Sequence, residues 1–191
     1  AEALARFFKT WEGGHLVINI ADNPIKCPVA PLEFAFYADA FFTERGMRDK
    51  VNITYVTPLS GAFTKPRASK LLGGLLEEKN IKLVPDYFLG EVDNNHQTIS
   101  DFSGKEIKFD CLVTIPLHSG DVVIEKSGLG DDFGFVPADK HTLQSKARDN
   151  IFVIGDASDL PSSKAGSVAH FQADVLTENI QRFAAGQALE P

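Results

Sequence analysis

Cys27 sits beside Lys26 in residues 24–31 (PIKCPVAP), between an apolar, β-branched run and a helix-forming run. In open parallel sheets ligands collect outside the carboxyl ends of strands, so a thiol in such a loop is placed to react. A helix N-terminus and an adjacent ammonium both favour thiolate, and the pKa of such a cysteine falls by ~1 to 5. One reading of Cys27 is therefore a nucleophile ionised at neutral pH; the other is a small apolar side chain filling a gap under the helix. A second stretch, residues 150–158 (NIFVIGDAS), runs from apolar residues into Gly155-Asp156. Glycine lets a backbone approach a ligand, and the carboxylate after it can accept hydrogen bonds from ribose or ribitol hydroxyls. An ordinary Gly-Asp turn is the alternative. Residues 163–167 (SKAGS) then open a helix, where the free amides near Gly166, the helix dipole and the Lys164 ammonium can face an anionic ligand. Lys164 can equally be a solvated first-turn lysine. His118 follows a strand end and is a candidate for a proton-carrying or interface role, against the reading of a hydrogen-bonded loop histidine.

Other chemistries find no support in the spacing. Cys111 is one of five alternating apolar residues (Ile107, Phe109, Cys111, Val113, Ile115), which predicts a buried, inert thiol. The two cysteines make neither a disulfide framework nor a CxxC pair, and the five histidines have no metal-ligand spacing, so no metal is expected. No GxSxG elbow is present. A dinucleotide site after the first strand would want G-x-G-x-x-G, yet residues 21–31 contain no glycine, which disfavours pyridine nucleotide there. The one G-x-G, Gly128 to Gly130, lies in a late loop and lacks the third glycine.

The elements that must position these residues can be read from periodicity. Residues 1–11 predict a helix, 15–20 (HLVINI) a buried strand, and a second helix begins near Pro28 or Pro31 and ends at Gly46, with Phe34, Tyr37 or Ala38, and Phe41 toward the core. A strand over 51–56, a helix over 67–79 and a strand over 81–84 follow. This βαβαβ order predicts an α/β fold: a Rossmann-like, doubly wound parallel sheet covered by helices. The period then changes to two, over 88–92, 98–102 and 107–115, which predicts an appended β meander. Residues 116–146 read as loop, 151–154 (IFVI) as a buried strand, and 163–185 as a helix.

At 191 residues with 43% hydrophobic content, the chain can form one large domain or two small ones. A net charge of −7 without a Lys/Arg run argues against nucleic acid as a partner. No run of ~18 apolar residues predicts a membrane span, so the chain itself is expected to be soluble. Its sole methionine is Met47 and it opens AEALARFF, which suggests a stretch from inside a longer gene product.

Residues 23–33 (NPIKCPVAPLE), followed by residues 150–180 (NIFVIGDASDLPSSKAGSVAHFQADVLTENI), resemble the sulfide:quinone oxidoreductase branch of the FAD-dependent pyridine nucleotide-disulfide oxidoreductases. The flavocytochrome c sulfide dehydrogenase flavoprotein is similar, and type II NADH dehydrogenase more distant. The resemblance implies that residues 1–116 form a nicotinamide-type, Rossmann-like domain and 117–191 the second half of an FAD-binding domain. The first FAD half, a further redox cysteine and a membrane-contacting C-terminal region are then absent from this chain. The full-length protein would be peripheral to a membrane, and the isolated fragment inactive. By the resemblance Cys27 handles sulfide sulfur, Gly155 and Asp156 hold the ribitol and phosphate region of FAD, and Lys164 and Gly166 lie near the isoalloxazine and quinone site. The implied reaction oxidises sulfide at a cysteine sulfur and passes electrons through FAD to quinone. A type II NADH dehydrogenase-like flavoenzyme and a non-catalytic Rossmann-like scaffold serving subunit contacts are the alternatives, and a homo-oligomer is compatible with each.

Overall fold

A computed structural model describes residues 2–191, which divide into two units. The first holds residues 2–23 and Val29–Leu117, the second Pro24–Pro28 and His118–Pro191.

In the first unit, helix α1 (Glu2–Thr10) leads into strand β1 (Gly14–Ile20), and helix α2 (Ala30–Glu44) leads into β2 (Val51–Val56). Helix α3 (Pro66–Glu78), strand β3 (Ile81–Val84) and a later strand β7 (Cys111–Ile115) complete a four-stranded parallel sheet in the order β3-β2-β1-β7. This is the expected α/β Rossmann-like architecture. Leu16, Val17, Ile18 and Ile20 are all buried, because β1 is central and covered on both faces; a covered strand reads as a continuous apolar run. Strands β4 (Leu89–Asp93), β5 (Thr98–Asp101) and β6 (Glu106–Lys108) form the antiparallel meander as a second sheet.

Two expectations here are corrected. The alternation from Ile107 to Ile115 is not one strand. Phe109 still donates its amide to Gln97, but the Asp110 amide bonds to the His15 carbonyl, and the Asp110 carboxylate accepts from the His15 amide at 2.6 Å. The chain thus leaves the meander at Asp110 and β7 joins the parallel sheet beside β1; a period of two cannot reveal a change of partner. On α2 the core stripe is Leu32, Ala35, Asp39 and Phe42 with Ala38, whereas Phe34 and Phe41 are half-buried and Tyr37 is 73% exposed. A buried acid on the inner stripe hid its phase.

Asp39 is buried for a reason. Its carboxylate takes the Arg48 guanidinium at 2.6 Å and the Lys79 ammonium at 2.8 Å. Arg48 also donates to the carbonyls of Val51, Lys79 and Asn80, which closes the C-terminal end of α3. Burial alone would raise the Asp39 pKa, but its two cationic partners outweigh it and hold the carboxyl below its ordinary 3.8.

In the second unit, helix α4 (Val122–Ser127) occupies part of the stretch expected to be loop, N-capped by the Asp121 carboxylate and ended by Gly128 at φ +67. Gly128 is therefore a helix C-cap rather than part of a phosphate cradle. Residues 151–154 do not form the expected strand: Phe152 makes an isolated bridge to Gln144, and Val153 donates to Leu143. A strand needs a partner along its length, and apolar composition alone does not supply one. Helix α5 (Gly166–Ala184) starts three residues later than expected because Ala165 is extended (φ −123, ψ 148). Val136, Ala138, Leu143, Val153 and Leu160 form the unit's core, with Val175 and Leu176 of α5 packed on it.

Asp39→Asn strands two cations around a neutral amide, so it should lower the unfolding free energy by about 2 kcal/mol at pH 7. A carboxyl held low in the folded state contributes its stability above about pH 4 and loses it as pH falls through the lowered pKa. The gap between wild type and variant should therefore close in acid. Urea unfolding followed by the single tryptophan, Trp11, which stacks on Phe8 in the same unit, measures both; a gap that stays constant from pH 7 down to the acid range contradicts the ion-pair assignment.

Candidate functional site

The segment Pro24–Pro28 belongs to the second unit because backbone bonds sew it there. The Cys27 amide donates to the Lys164 carbonyl at 2.6 Å, and Lys26 forms a parallel bridge with Lys164. On the other side, the Lys26 amide donates to His118 Nδ1 at 2.7 Å, and the His118 amide donates to the Pro24 carbonyl at 3.3 Å. With Nδ1 accepting, a neutral His118 carries its proton on Nε2. Held between these bonds, Cys27 adopts φ 55, the left-handed region that costs a non-glycine residue on the order of 1 kcal/mol and is met at functional sites. Its side chain is half-buried. It lies two residues before the N-cap of α2, Val29, which has no side-chain cap.

Lys164 is the hub that links this loop to the Gly-Asp turn. Its carbonyl receives Cys27, while its ammonium donates to the Ser158 carbonyl at 2.5 Å and lies 4.2 Å from the centroid of the Phe135 ring. The side chain is buried, which lowers its pKa; Asp156 opposes that shift and Lys26 adds to it. The Ser158 hydroxyl donates in turn to the Gly155 carbonyl at 2.9 Å. A continuous run of hydrogen bonds thus joins Cys27 to Gly155.

Gly155 opens a single 3-10 turn, residues 155–157, at φ +60. A Cβ there would come within 3.2 Å of the Ala169 Cβ on α5. The Gly155 amide donates to the Gln172 side-chain carbonyl at 2.8 Å, so the turn is pressed and bonded onto the first turns of α5. Asp156 after it is exposed. Gly166 and Ser167 open α5, and their amides have no hydrogen-bond acceptor among the described residues. The arrangement offers what a dinucleotide's phosphate and polyol region requires: a glycine allowing close approach, a free carboxylate for hydroxyls, and unengaged amides at the positive end of a 19-residue helix.

The structure therefore gathers Cys27, Lys26, His118, Lys164, Gly155 and Asp156 into one unit, although their sequence positions are far apart. Lys164 is neither the solvated lysine nor a free charge, since its ammonium is committed to Ser158 and Phe135. Ser158, Phe135 and Gln172 take part unannounced. A serine three residues after a glycine turn is a weak signal for the first, and nothing in the sequence marks the other two. Cys111, in the first unit, is buried, and burial pushes its thiol up to about 11.

No protein-family model matches the chain. The mitochondrial sulfide:quinone oxidoreductase of Mus musculus is 30% identical over 180 residues, which covers 88% of this chain and 40% of that protein. Among solved structures, a chain of the Tetrahymena thermophila mitochondrial ATP synthase is similar with a TM-score of 0.72 at 24% identity, over 97% of this chain and 46% of that one. The sulfide:quinone oxidoreductase of Aquifex aeolicus has a TM-score of 0.70 at 18% identity, over 93% of this chain and 47% of that one. The chain spans about two fifths of the length of the curated relatives it matches.

Iodoacetamide at pH 8 should label Cys27 and leave Cys111 untouched, giving one adduct by intact mass; two adducts formed at similar rates would contradict the placement of the two thiols. His118→Phe removes the acceptor for the Lys26 amide and should speed its hydrogen exchange by about tenfold or more. Unchanged exchange at Lys26 would show that the bond does not hold the loop.

Proposed function

Because this chain is sulfide:quinone oxidoreductase-like over most of its length and has the fold of the FAD-dependent pyridine nucleotide-disulfide oxidoreductases, we propose that it is the central and returning-FAD part of a flavoenzyme that oxidises sulfide. The observation that carries the reading is the run of bonds from Cys27 through Lys164 and Ser158 to Gly155, which ties the half-exposed thiol to the glycine turn.

Each residue has a role in that reading. Cys27 is the sulfur-handling residue: its sulfur carries sulfane sulfur in the reaction, and its left-handed backbone fixes the direction of the Cα–Cβ bond. Gly155 permits close approach of the cofactor, Asp156 accepts its hydroxyls, and the amides of Gly166 and Ser167 face its negative charge. FAD, when bound, would supply the two-electron chemistry that connects sulfur to quinone. Lys164 braces the turn and contributes positive potential from a buried position. His118 holds the Lys26 amide through Nδ1 and leaves its Nε2 proton available. Cys111 is a core thiol with a raised pKa, so the second sulfur that the chemistry needs is proposed to come from outside these residues. Electron delivery to quinone and peripheral attachment to a membrane belong to the whole protein; among the described residues no helix is long and apolar enough to cross a membrane.

A second reading, a non-catalytic Rossmann-like scaffold built into a mitochondrial assembly, is supported by the likeness to a chain of the Tetrahymena ATP synthase. One experiment separates the two. The full-length gene product should purify with a flavin spectrum that sulfide bleaches anaerobically and NADH does not, and Cys27→Ser should slow the bleaching by about 100-fold or more. A full-length protein without flavin supports the scaffold, and bleaching by NADH in place of sulfide overturns the sulfide assignment.

A further inference from the structure

Helix α3 carries its charges the wrong way round for a helix standing alone. Its N-terminal end is positive, with Lys65 at the N-cap and Arg67 in the first turn, and its last turn holds Glu77 and Glu78. A helix macrodipole favours the reverse, acids at the N-terminus and bases at the C-terminus. Arg48 meets the carbonyls at the C-terminal end, but Arg67, Lys70, Glu77 and Glu78 form no ion pair among the described residues, and no acid lies in the first turn.

Between the two charged ends the outward face of α3 is apolar and indented. Arg67, Lys70, Leu71, Gly74, Leu75 and Glu78 line an open groove of about 940 Å³. Leu71 is 67% exposed. Gly74 sits mid-helix, where glycine is unfavourable, and a Cβ there would meet nothing within 4 Å, so neither backbone conformation nor packing inside the chain calls for it.

We infer that this face of α3 is a dimerisation surface whose occupant is the same helix of a second copy, packed antiparallel. The pattern is self-complementary about a point between Leu72 and Gly73. Antiparallel pairing sets Arg67 against the second copy's Glu78, seats Leu71 in the notch left by its Gly74, and lays the alkyl stem of Lys70 along its Leu75. Each contact then occurs twice, as a two-fold interface requires. The inverted charges are satisfied at both ends, because each positive N-terminal end lies beside a negative C-terminal end, and the two helix dipoles oppose. This inference is independent of the sulfide reading, since it uses no residue of the Cys27 site.

A single helix pair is a small interface, so the dimer should be weak, with a dissociation constant of about 10–100 µM, and should weaken further with salt. Sedimentation velocity on the 191-residue chain across that concentration range tests it. Arg67→Glu and Glu78→Arg should each weaken self-association by tenfold or more, while leaving the helix content and thermal stability intact or raised, because each change suits the dipole of the lone helix. Mixing the two single variants, or combining both changes in one chain, should restore association to near the wild-type constant. Two residues eleven positions apart on one helix cannot reach each other, so that restoration can arise only between copies. A chain that stays monomeric throughout overturns the proposal, whether or not it floats with anionic vesicles or binds an acidic peptide. So does a dimer that neither single charge reversal weakens, or one that the double change fails to restore.

Discussion

The bond from the Cys27 amide to the Lys164 carbonyl decides where the loop that carries this thiol is held. It draws a five-residue segment out of the first unit and attaches it to the second. The strain of a left-handed cysteine, on the order of 1 kcal/mol, is comparable to the net worth of one hydrogen bond. Three bonds hold the segment, two involving His118 and one to Lys164, so the strained conformation is sustained with some surplus. Remove that attachment and Cys27 would be an ordinary cysteine in a proline-bounded loop, with no relation to the glycine turn.

Two buried charges organise the two units in different ways. In the first, Asp39 is satisfied by two cations and gathers α2, α3 and β2 around one carboxylate. In the second, Lys164 has no carboxylate within ion-pair distance among the described residues; a carbonyl and an aromatic face receive its ammonium. A charge met by neutral dipoles is held less firmly than one met by an opposite charge, which agrees with the opposite senses of the two cases: the Asp39 carboxyl keeps its charged form more readily than usual, and the Lys164 ammonium less so.

The likeness to sulfide:quinone oxidoreductases covers nearly the whole chain but only about two fifths of those proteins. Within the chain, the thiol loop and the glycine turn, separated by most of the sequence, meet at a single lysine. The fold is shared with proteins of varied chemistry, including a chain within an ATP synthase, so the function must be argued from the site and not from the sheet.

The sequence by itself determined the first three strands of the parallel sheet and the helices between them, because continuous apolar runs such as HLVINI and helical leucine spacing are local consequences of burial and register against the backbone. It also marked Cys27, Gly155 and Lys164 as residues to watch, since their types are rare in those settings. The phase of α2 was not legible, for the residue completing its inner stripe is an acid that only distant Arg48 and Lys79 make tolerable. The switch at Asp110 from meander to parallel sheet, the missing strand partner for residues 151–154, and the assignment of Pro24–Pro28 to the second unit were likewise settled in three dimensions. Each depends on which hydrogen-bond partner a backbone group finds across the fold, and a local pattern of residue types carries information about burial but none about the identity of that partner.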